Sequence, residues 1–260
     1  MKIGIIGTGN IAQYLLESIN KNKKVDGKII SIFGRNQKVG PRLETQYGPA
    51  FYTDFQEFIQ SPVDLVVEAA TIDVAVEHME GVLKNKKDLI LSSIGAFKDT
   101  NFLKKMKEEA HRHNQHIYLP SGAVGGLDLL QSANALGGLK EVSITTRKSY
   151  QSLGLEVKHT EDCMFDGFAL EAIDKFPKNV NVALLLSIAG LGAEQTKVRV
   201  IADPNIQRNT HTIEASGDFG KMNLTIENEP MPNNPKTSYL AALSILATLQ
   251  NRGSAITVGS

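Results

Sequence analysis

The sequence predicts an α/β protein, in which a doubly wound parallel sheet is followed by an α+β domain with a mostly antiparallel sheet. Two observations support this prediction. From Lys2 to Leu119, short apolar strands alternate with longer amphipathic segments, which is typical of a parallel sheet wrapped by helices. After Pro120 the strands show a clearer alternation of apolar and polar residues, which indicates a sheet with one exposed face.

The predicted strands of the first half are separated by helices. These helices carry apolar residues at helical spacing, and Asp99 is a suitable N-cap for the third of them. Their apolar positions are Ile11, Leu15 and Ile19, then Val76, Met79 and Leu83, and finally Phe102, Leu103 and Met106. The strands are predicted at Ile3 to Ile6, Lys28 to Phe33, Asp64 to Glu68, Asp88 to Ser92 and His116 to Leu119.

The second half alternates strands with helical segments. A last helix is predicted from Thr237 to Leu249, with Pro235 at its entrance and Gly253 beyond its end, the positions that these residue types favour. Earlier helical segments are predicted at Phe168 to Ile173 and Val180 to Ile188. The strands are predicted at Glu141 to Lys148, Lys197 to Ala202, Thr210 to Ala215 and Lys221 to Glu227.

These elements suggest two domains. We expect a dinucleotide-binding domain from Met1 to Pro120 and a substrate domain from Ser121 to Asn234. The segment from Pro235 to Ser260 is expected to pack back on the first domain. The second domain could also supply a homodimer interface, either from its alternating strands or from the apolar helix at Val180, although that helix could equally be core.

The composition excludes several classes of function. The chain has 260 residues with 28 basic and 28 acidic side chains, so it offers no charge footprint for nucleic acid or an anionic membrane. Its longest apolar run, Val180 to Leu191, is shorter than the roughly 20 residues that span a bilayer. The single cysteine, Cys163, excludes an internal disulfide, and no His and carboxylate cluster has metal-ligand spacing. We expect a cytoplasmic protein that acts on small molecules.

The stretch Gly7-Thr8-Gly9-Asn10-Ile11-Ala12 follows a strand and opens a helix, the context of the Rossmann dinucleotide fingerprint. The first glycine allows the tight turn, the second lets the backbone approach a pyrophosphate, and Ala12 permits close packing of helix and strand. The phosphates would bind to free N–H groups at the positive end of the helix. The alternative is a glycine loop without a ligand, but the repeated strand–helix units favour cofactor binding.

The end of the second strand predicts which nucleotide is bound. Proteins that bind NAD place an acid there to accept from the ribose 2′-OH, whereas an arginine suits a 2′-phosphate. Here the strand ends with Gly34-Arg35, with Lys38 close by and no acid. We therefore expect NADP preference, or tolerance of both NADP and NAD, unless Arg35 is only a solvated loop cation.

Small residues follow two later strands, at Ala69-Ala70-Thr71 and Ser93-Ile94-Gly95-Ala96. Ligands of doubly wound sheets lie outside the carboxyl ends of the strands, so Ala70 and Ala96 are candidate cofactor contacts. They could equally belong to ordinary strand-to-helix turns.

Several motifs extend the argument beyond the fingerprint. They are Pro120 to Asp128 (PSGAVGGLD), Phe176 to Ala183 (FPKNVNVA), His211 to Gly217 (HTIEASG) and Asn234 to Ser238 (NPKTS). Together with the fingerprint and Ser93 to Asp99, they resemble the L-aspartate dehydrogenase family over essentially the whole chain. The resemblance implies NAD- or NADP-dependent oxidation of L-aspartate through iminoaspartate to oxaloacetate and ammonia. It also implies that the imine could feed pyridine nucleotide biosynthesis.

Particular residues match positions of that family by motif. Ala123, in the PSGA turn, matches a position whose backbone contacts the cofactor, and Asn181 matches an asparagine that contacts it. His211 matches the proposed catalytic histidine. Gly34-Arg35 departs from the family, because many members place an acid there, and this departure argues against strict NAD use.

The chemistry implied by the resemblance suits histidine. Hydride loss from an amino acid needs a neutral amine and then a water activated to attack the imine, and histidine exchanges protons near neutral pH. Of the six histidines, only His211 begins an alternating strand of the second domain. A dicarboxylate substrate also needs cations, for which Lys178 and Lys236 are candidates, each expected in the first turn of a helix.

Two other hypotheses fit the same sequence. One is another two-domain reductase, acting on a semialdehyde or a cyclic imine. The other is a non-catalytic NADP-binding sensor that passes cofactor occupancy to a protein partner. Substrate assays and substitution of His211 would separate them, since a sensor has no turnover to lose.

Overall fold

The computed structural model describes residues 1–175, 180–232, 234–256 and 258 of the chain. Two compact units are present. The first comprises Met1–Pro120 together with the C-terminal helix from Ala242 onward, and the second comprises Ser121–Ala241. Within the described residues, none of the helices has both the length and the apolarity needed to cross a bilayer.

The first unit is built on a parallel sheet of six strands with the order β3-β2-β1-β4-β5-β6. This arrangement confirms the predicted doubly wound sheet, and its apolar strands are buried because helices cover both faces. The strands are β1 (Lys2–Ile6), β2 (Lys28–Phe33), β3 (Ala50–Tyr52), β4 (Leu65–Glu68), β5 (Asp88–Leu91) and β6 (Ile117–Tyr118).

The helices of the first unit include each of the three that were predicted. Asp99 caps the third of these, since its Oδ1 accepts a hydrogen bond from the Asn101 N–H at 2.8 Å. The first continues into a π-helical turn, Glu17–Lys21, and a 3₁₀ turn, Ile94–Lys98, precedes the third. The helices are α1 (Asn10–Leu16), α2 (Val39–Tyr47), α3 (Phe55–Gln60), α4 (Ile72–Lys84) and α5 (Thr100–His113).

The core of the first unit lies between the sheet and these helices. Asn20, in the π-helical turn, is buried and binds the backbone of Ile29 in β2 through both its amide nitrogen and its oxygen. The last helix, α10 (Tyr239–Arg252), contributes Ile245, Leu246 and Leu249 to the same apolar cluster. Burial of these side chains holds the C-terminal helix on the first unit.

The second unit contains a mixed sheet of five strands, with the order β11-β10-β7-β9-β8. All neighbouring pairs are antiparallel except β7 and β9, so the prediction of a mostly antiparallel sheet is confirmed. The strands are β7 (Leu139–Lys148), β8 (Asp162–Phe168), β9 (Thr196–Ala202), β10 (Asn209–Gly217) and β11 (Gly220–Asn228). A separate hairpin pairs β12 (Pro230–Met231) with β13 (Asn234–Ser238).

The helices of the second unit are α6 (Leu127–Asn134), α7 (Tyr150–Leu153), α8 (Ala169–Lys175) and α9 (Val180–Ala189). Helices α6, α8 and α9 pack on the sheet, and the alternating burial of β7 and β10 shows that one face of it is covered. The side chains of residues 183–186 in α9 are buried, so this apolar helix belongs to the core. It therefore does not supply the exposed interface that the sequence left open.

One predicted element needs correction, and two strands were not predicted. The last helix begins at Tyr239 rather than Thr237, because Thr237 and Ser238 belong to β13, whose pairing with β12 uses the local backbone groups. Strand β8 was not predicted, since it lies at the sheet edge and its exposed residues lack apolar alternation. The strand β3 was also missed; it has three residues and lies at the edge of the first sheet.

Candidate active site

A cavity of about 300 Å³ opens at the carboxyl ends of β1, β2 and β4 in the first unit. This is the edge at which doubly wound sheets bind nucleotides. Its wall combines the predicted glycine turn with the turns that follow β2 and β4. The lining residues are Ile6, Gly7, Thr8, Gly9, Phe33, Gly34, Arg35, Asn36, Ala69, Ala70, Thr71 and Val74.

The glycine turn has the geometry that a pyrophosphate requires. Gly7 has a φ of +120°, and a Cβ at this position would lie 2.5 Å from the Ala69 carbonyl oxygen, so a side chain is excluded by the protein itself. At Gly9 no described atom lies within 4 Å of the corresponding Cβ, so the space beside its backbone is open to a ligand. Gly9 also caps α1 without a side-chain hydrogen bond. Because no side chain caps this end of the helix, the N–H groups of its first turn, including those of Asn10 and Ile11, are suited to bind an anion.

Ala12 lies one turn into α1 and is fully buried in the core of the first unit. A small residue there lets the helix approach β1 closely. This position is thus a packing position, and it supports the turn without facing the cavity.

The turn after β2 forms the other end of the cavity. Arg35 is exposed and lines the cavity between Gly34 and Asn36. A Cβ on Gly34 would lie 2.8 Å from Cγ2 of Thr8, so glycine keeps this turn close to the glycine loop. Asn36 Oδ1 accepts from the N–H groups of Lys38 and Val39, both at 3.0 Å, which fixes the backbone beside Arg35. A guanidinium held here suits a negatively charged group on the ribose.

Glu68, at the end of β4, ties two of these turns together. Its carboxylate is 1% exposed and accepts from the Ala70 N–H at 2.7 Å, the Ser93 N–H at 2.9 Å and the Ser93 hydroxyl at 2.9 Å. Burial raises the pKa of Glu68 and outweighs the lowering effect of these bonds. The carboxylate thus holds the turns after β4 and β5 in one arrangement. Ala96, which follows Ser93, is buried in the 3₁₀ turn and does not line the cavity.

His211 lies on the covered face of the sheet in the second unit. It is 4% exposed, and its Nδ1 lies 2.9 Å from the hydroxyl of Thr146, its register partner on β7. Burial, with the positive charge of Lys148 as a second cause, lowers the pKa of His211 to about 4. The ring is therefore neutral at neutral pH, and with Nδ1 engaged, proton exchange falls to Nε2.

Asn228, at the end of β11, connects two of the sequence motifs. Its buried Nδ2 donates to the Ala123 carbonyl at 3.0 Å, and its Oδ1 accepts from the Ser238 hydroxyl at 2.5 Å. Ile226 is the register partner of His211, and its Cδ1 lies 4.0 Å from where a Cβ on Gly125 would be, in the same PSGAVGG segment. The second unit thus brings Ala123, the hairpin with β13 and His211 to one end of its sheet.

The remaining predicted residues have different positions. Asn181 is exposed near the start of α9, and Lys178 lies outside the described residues. Lys236 was predicted in the first turn of a helix, and this is wrong: it lies in β13, because the hairpin continues to Ser238. Its side chain is outside the described part of the chain.

Sequence reasoning missed Glu68, Thr146, Lys148 and Asn228. Only a weak signal pointed to Glu68, a charged residue at the end of an apolar strand. Thr146 and Lys148 occupy positions of β7 at which the alternation places apolar residues. Both therefore lie on the covered face of the sheet, which is called the inner face below. Asn228 carried no signal in its own surroundings, since its partners are distant in the chain.

Comparison with known proteins accounts for both halves of the chain. Residues 7–120 match a family described as homoserine dehydrogenase, NAD binding domain, and residues 128–252 match one described as aspartate dehydrogenase, C-terminal. An L-aspartate dehydrogenase of Methanosarcina barkeri is 38% identical over 274 residues, covering 100% of both chains. One from Nitrosopumilus maritimus is 46% identical over 200 residues, 73% of each chain. The crystal structure of aspartate dehydrogenase from Thermotoga maritima has a TM-score of 0.84 and 35% identity, covering 100% of this chain and 99% of that one.

Proposed function

The chain belongs to the L-aspartate dehydrogenase family, and from this premise we propose that it interconverts L-aspartate with oxaloacetate and ammonia through iminoaspartate. The observation that carries the proposal is the similarity to L-aspartate dehydrogenases over the whole chain, in both units. The cavity geometry of the first unit fits a nicotinamide dinucleotide, and when bound this cofactor supplies the acceptor or donor of hydride.

In this proposal, residues of the first unit bind the cofactor through backbone shape. Gly7 and Gly9 leave room for the pyrophosphate, and the uncapped start of α1 at Asn10 attracts its negative charge. Glu68 keeps the turn that carries Ala70 fixed beside the cavity. Ala123 and Asn181 of the second unit are proposed as further cofactor contacts, as the family motifs imply.

His211 is proposed as the general acid and base. As a neutral base, its Nε2 accepts a proton from the ammonium group of L-aspartate, which leaves the neutral amine, or from the water that attacks the imine. The Thr146 hydroxyl holds the ring in a single orientation through Nδ1. A bound dicarboxylate beside the ring would raise the pKa of His211 from about 4 towards its ordinary value, because a nearby anion favours the charged imidazolium. Substrate binding would then activate the base.

We further propose that NADP is accepted at least as well as NAD. Arg35 lines the cavity beside a turn whose backbone Asn36 fixes, and β2 ends without an acid to bind a ribose 2′-OH. A guanidinium binds a phosphate through two parallel hydrogen bonds, whereas a carboxylate at this position would repel the phosphate. We also propose Lys236 as a substrate contact, because its strand is tied to Asn228 through the hydroxyl of Ser238.

A homodimer formed through the second unit is the proposed assembly. The uncovered face of its sheet has a shallow cavity of about 440 Å³ lined by both signs of charge, including Glu141, Lys197, Glu214 and Lys221. Large exposed apolar side chains such as Leu136, Phe168 and Phe219 also belong to this unit. A second copy would cover both, and light scattering of the purified protein would measure the mass.

We place the enzyme in the cytoplasm, where its cofactor and substrates are dissolved, with its imine available to pyridine nucleotide synthesis.

The decisive assay supplies oxaloacetate and ammonia and follows oxidation of NADH and NADPH in parallel. We expect turnover with both cofactors and slower reduction of NADP with L-aspartate. A panel with aspartate semialdehyde and a cyclic imine serves as the control. Turnover of a panel compound alone would replace aspartate as the substrate, and no turnover across a broad pH range would contradict an enzyme function.

A further inference from the structure

We propose that Lys148 is a substrate-binding residue that holds one carboxylate of the four-carbon dicarboxylate beside His211. The inference rests on the proposed function and names the cation that the substrate needs. It assigns to the inner face of the sheet a role for which Lys178 and Lys236 are the candidates predicted from the sequence.

The strand register places Lys148 on the same face as the catalytic candidate. Side chains alternate along β7, so Thr146 and Lys148 point to one side, one pleat or about 7 Å apart along the strand. Thr146 is the register partner of His211 and is hydrogen-bonded to its ring. On the other side of β7, Lys148 pairs with Ala202 of β9. Lys148 therefore lies diagonally across from His211 at the same end of the sheet.

The surroundings of Lys148 make its charge effective. The residues that flank Thr146 and Lys148 on the same face are Val200 and Ala202 on β9 and His211 on β10, all buried, and two of the three are apolar. Burial lowers the pKa of Lys148, and its charge in turn lowers the pKa of His211, as expected for two bases that share one desolvated region. A charge-assisted hydrogen bond is stronger there than at an exposed lysine.

Lys148 is suited to an anionic ligand, because its ammonium lies in a mainly apolar region and water screens its charge less there than at the surface. An α-amino dicarboxylate or its 2-oxo counterpart is such a ligand. Its carboxylates flank the reacting carbon within two bonds, so a carboxylate on Lys148 leaves that carbon near the imidazole of His211.

The test uses the full-length protein and the variants Lys148→Met, Lys148→Gln and Lys148→Arg. Succinate, an unreactive dicarboxylate, is titrated by calorimetry in the presence of NADPH, and KM and kcat are measured with oxaloacetate. The matched control is Lys140→Met, the same change at an exposed lysine of the same strand. We expect Lys148→Met and Lys148→Gln to raise the succinate Kd and the oxaloacetate KM roughly 10- to 100-fold, the value of a charge-assisted bond. We expect kcat to stay within about threefold, Lys148→Arg to recover part of the affinity, and Lys140→Met to change neither value.

The outcomes separate this inference from the proposed function. If the unchanged enzyme turns over oxaloacetate and the Lys148 variants retain its KM and the succinate Kd, Lys148 does not bind substrate. A fall in kcat at constant KM and Kd would also overturn the inference, because it would place Lys148 in proton transfer. If the unchanged enzyme turns over no oxaloacetate but binds succinate through Lys148, the proposed reaction fails while the carboxylate site stands. Circular dichroism and thermal melting identify variants that fold, and Lys148→Gln replaces Lys148→Met if the latter does not.

Discussion

The cofactor cavity of the first unit and the His211 cluster of the second unit are built in opposite ways. The cavity wall comes from short contiguous turns, Gly7 to Gly9 and Gly34 to Asn36, whose glycines keep the backbone accessible. The His211 cluster joins residues far apart in sequence, with a sequence separation of 65 for Thr146 and His211 and of 105 for Ala123 and Asn228. One site is thus shaped by steric limits on the backbone, and the other by burial of polar side chains.

The difference has energetic consequences. A substitution in the cavity wall acts by filling space or straining the backbone, and it affects ligands in proportion to the space lost. A substitution in the buried cluster leaves a polar partner without its hydrogen bond, or changes the protonation of a neighbouring group. The two sites should therefore respond differently to mutation and to pH, and four experiments examine this contrast.

The largest effect is expected from His211→Asn, which keeps a polar atom near Thr146 but removes Nε2. We expect kcat with oxaloacetate and ammonia to fall by about 10²- to 10⁴-fold, the usual contribution of a general acid or base. NADPH affinity, measured by fluorescence titration, should change less than about threefold. Thr146→Val is the companion variant and should lose less activity, because it frees the ring without removing it. Retained turnover in His211→Asn would place the proton exchange elsewhere.

The stability of the protein should depend on pH through the same histidine. The pKa of His211 is lowered from 6.5 to about 4 in the folded state, so between these pH values the unfolded chain binds a proton that the folded chain does not. The free energy of unfolding should fall as the pH decreases through this window, by about 3 kcal/mol at pH 4. Urea denaturation of His211→Asn should show a correspondingly flatter pH profile. His159→Asn, at an exposed histidine, should follow the unchanged protein; identical profiles for all three proteins would contradict burial of a neutral ring.

Gly7→Ala and Gly9→Ala separate an effect on stability from an effect on cofactor binding in the first unit. At Gly7 the new Cβ meets the Ala69 carbonyl and the φ is positive, so we expect a loss of about 1–3 kcal/mol in the free energy of unfolding. At Gly9 the new Cβ meets open space, so stability should stay within about 0.5 kcal/mol while the NADPH Kd rises at least about tenfold. Thermal melting and fluorescence titration measure the two quantities. Unaltered NADPH affinity in Gly9→Ala would mean that no pyrophosphate approaches this backbone.

The smallest and most selective effect is expected from Arg35→Ala. Loss of a charge-assisted bond to a 2′-phosphate should raise the KM for NADPH roughly 10- to 100-fold and leave that for NADH within about threefold. Lys107→Ala removes one charge from an exposed position outside the cavity and serves as the control. Equal changes for NADH and NADPH would show that Arg35 binds a part common to both cofactors. Arg35 would then not be the side chain by which the first unit distinguishes NADPH from NADH.

The sequence by itself determined the doubly wound parallel sheet of the first unit and the mostly antiparallel sheet of the second. These features follow from local rules: apolar periodicity, N-caps such as Asp99, and glycines whose steric role is set by their immediate neighbours. The cavity wall was predictable for the same reason, since Gly7, Gly9, Arg35 and Ala70 each lie in a turn directly after a strand. The edge strand β8 was not predicted, because the residues from Asp162 to Phe168 carry no apolar alternation.

Only the tertiary structure decided the composition of the buried cluster. Thr146 reaches His211 through the register of β7 with β10, and Asn228 reaches Ala123 across the end of the sheet. Neither contact has a local sequence signal, since strand register is fixed by the packing of the whole sheet. Lys236, expected in a helix, lies in β13, and the strand alternation of β7 places Lys148 on the same face as Thr146. The physical reason is that desolvation, which lowers the pKa of both His211 and Lys148, is a property of their surroundings in space.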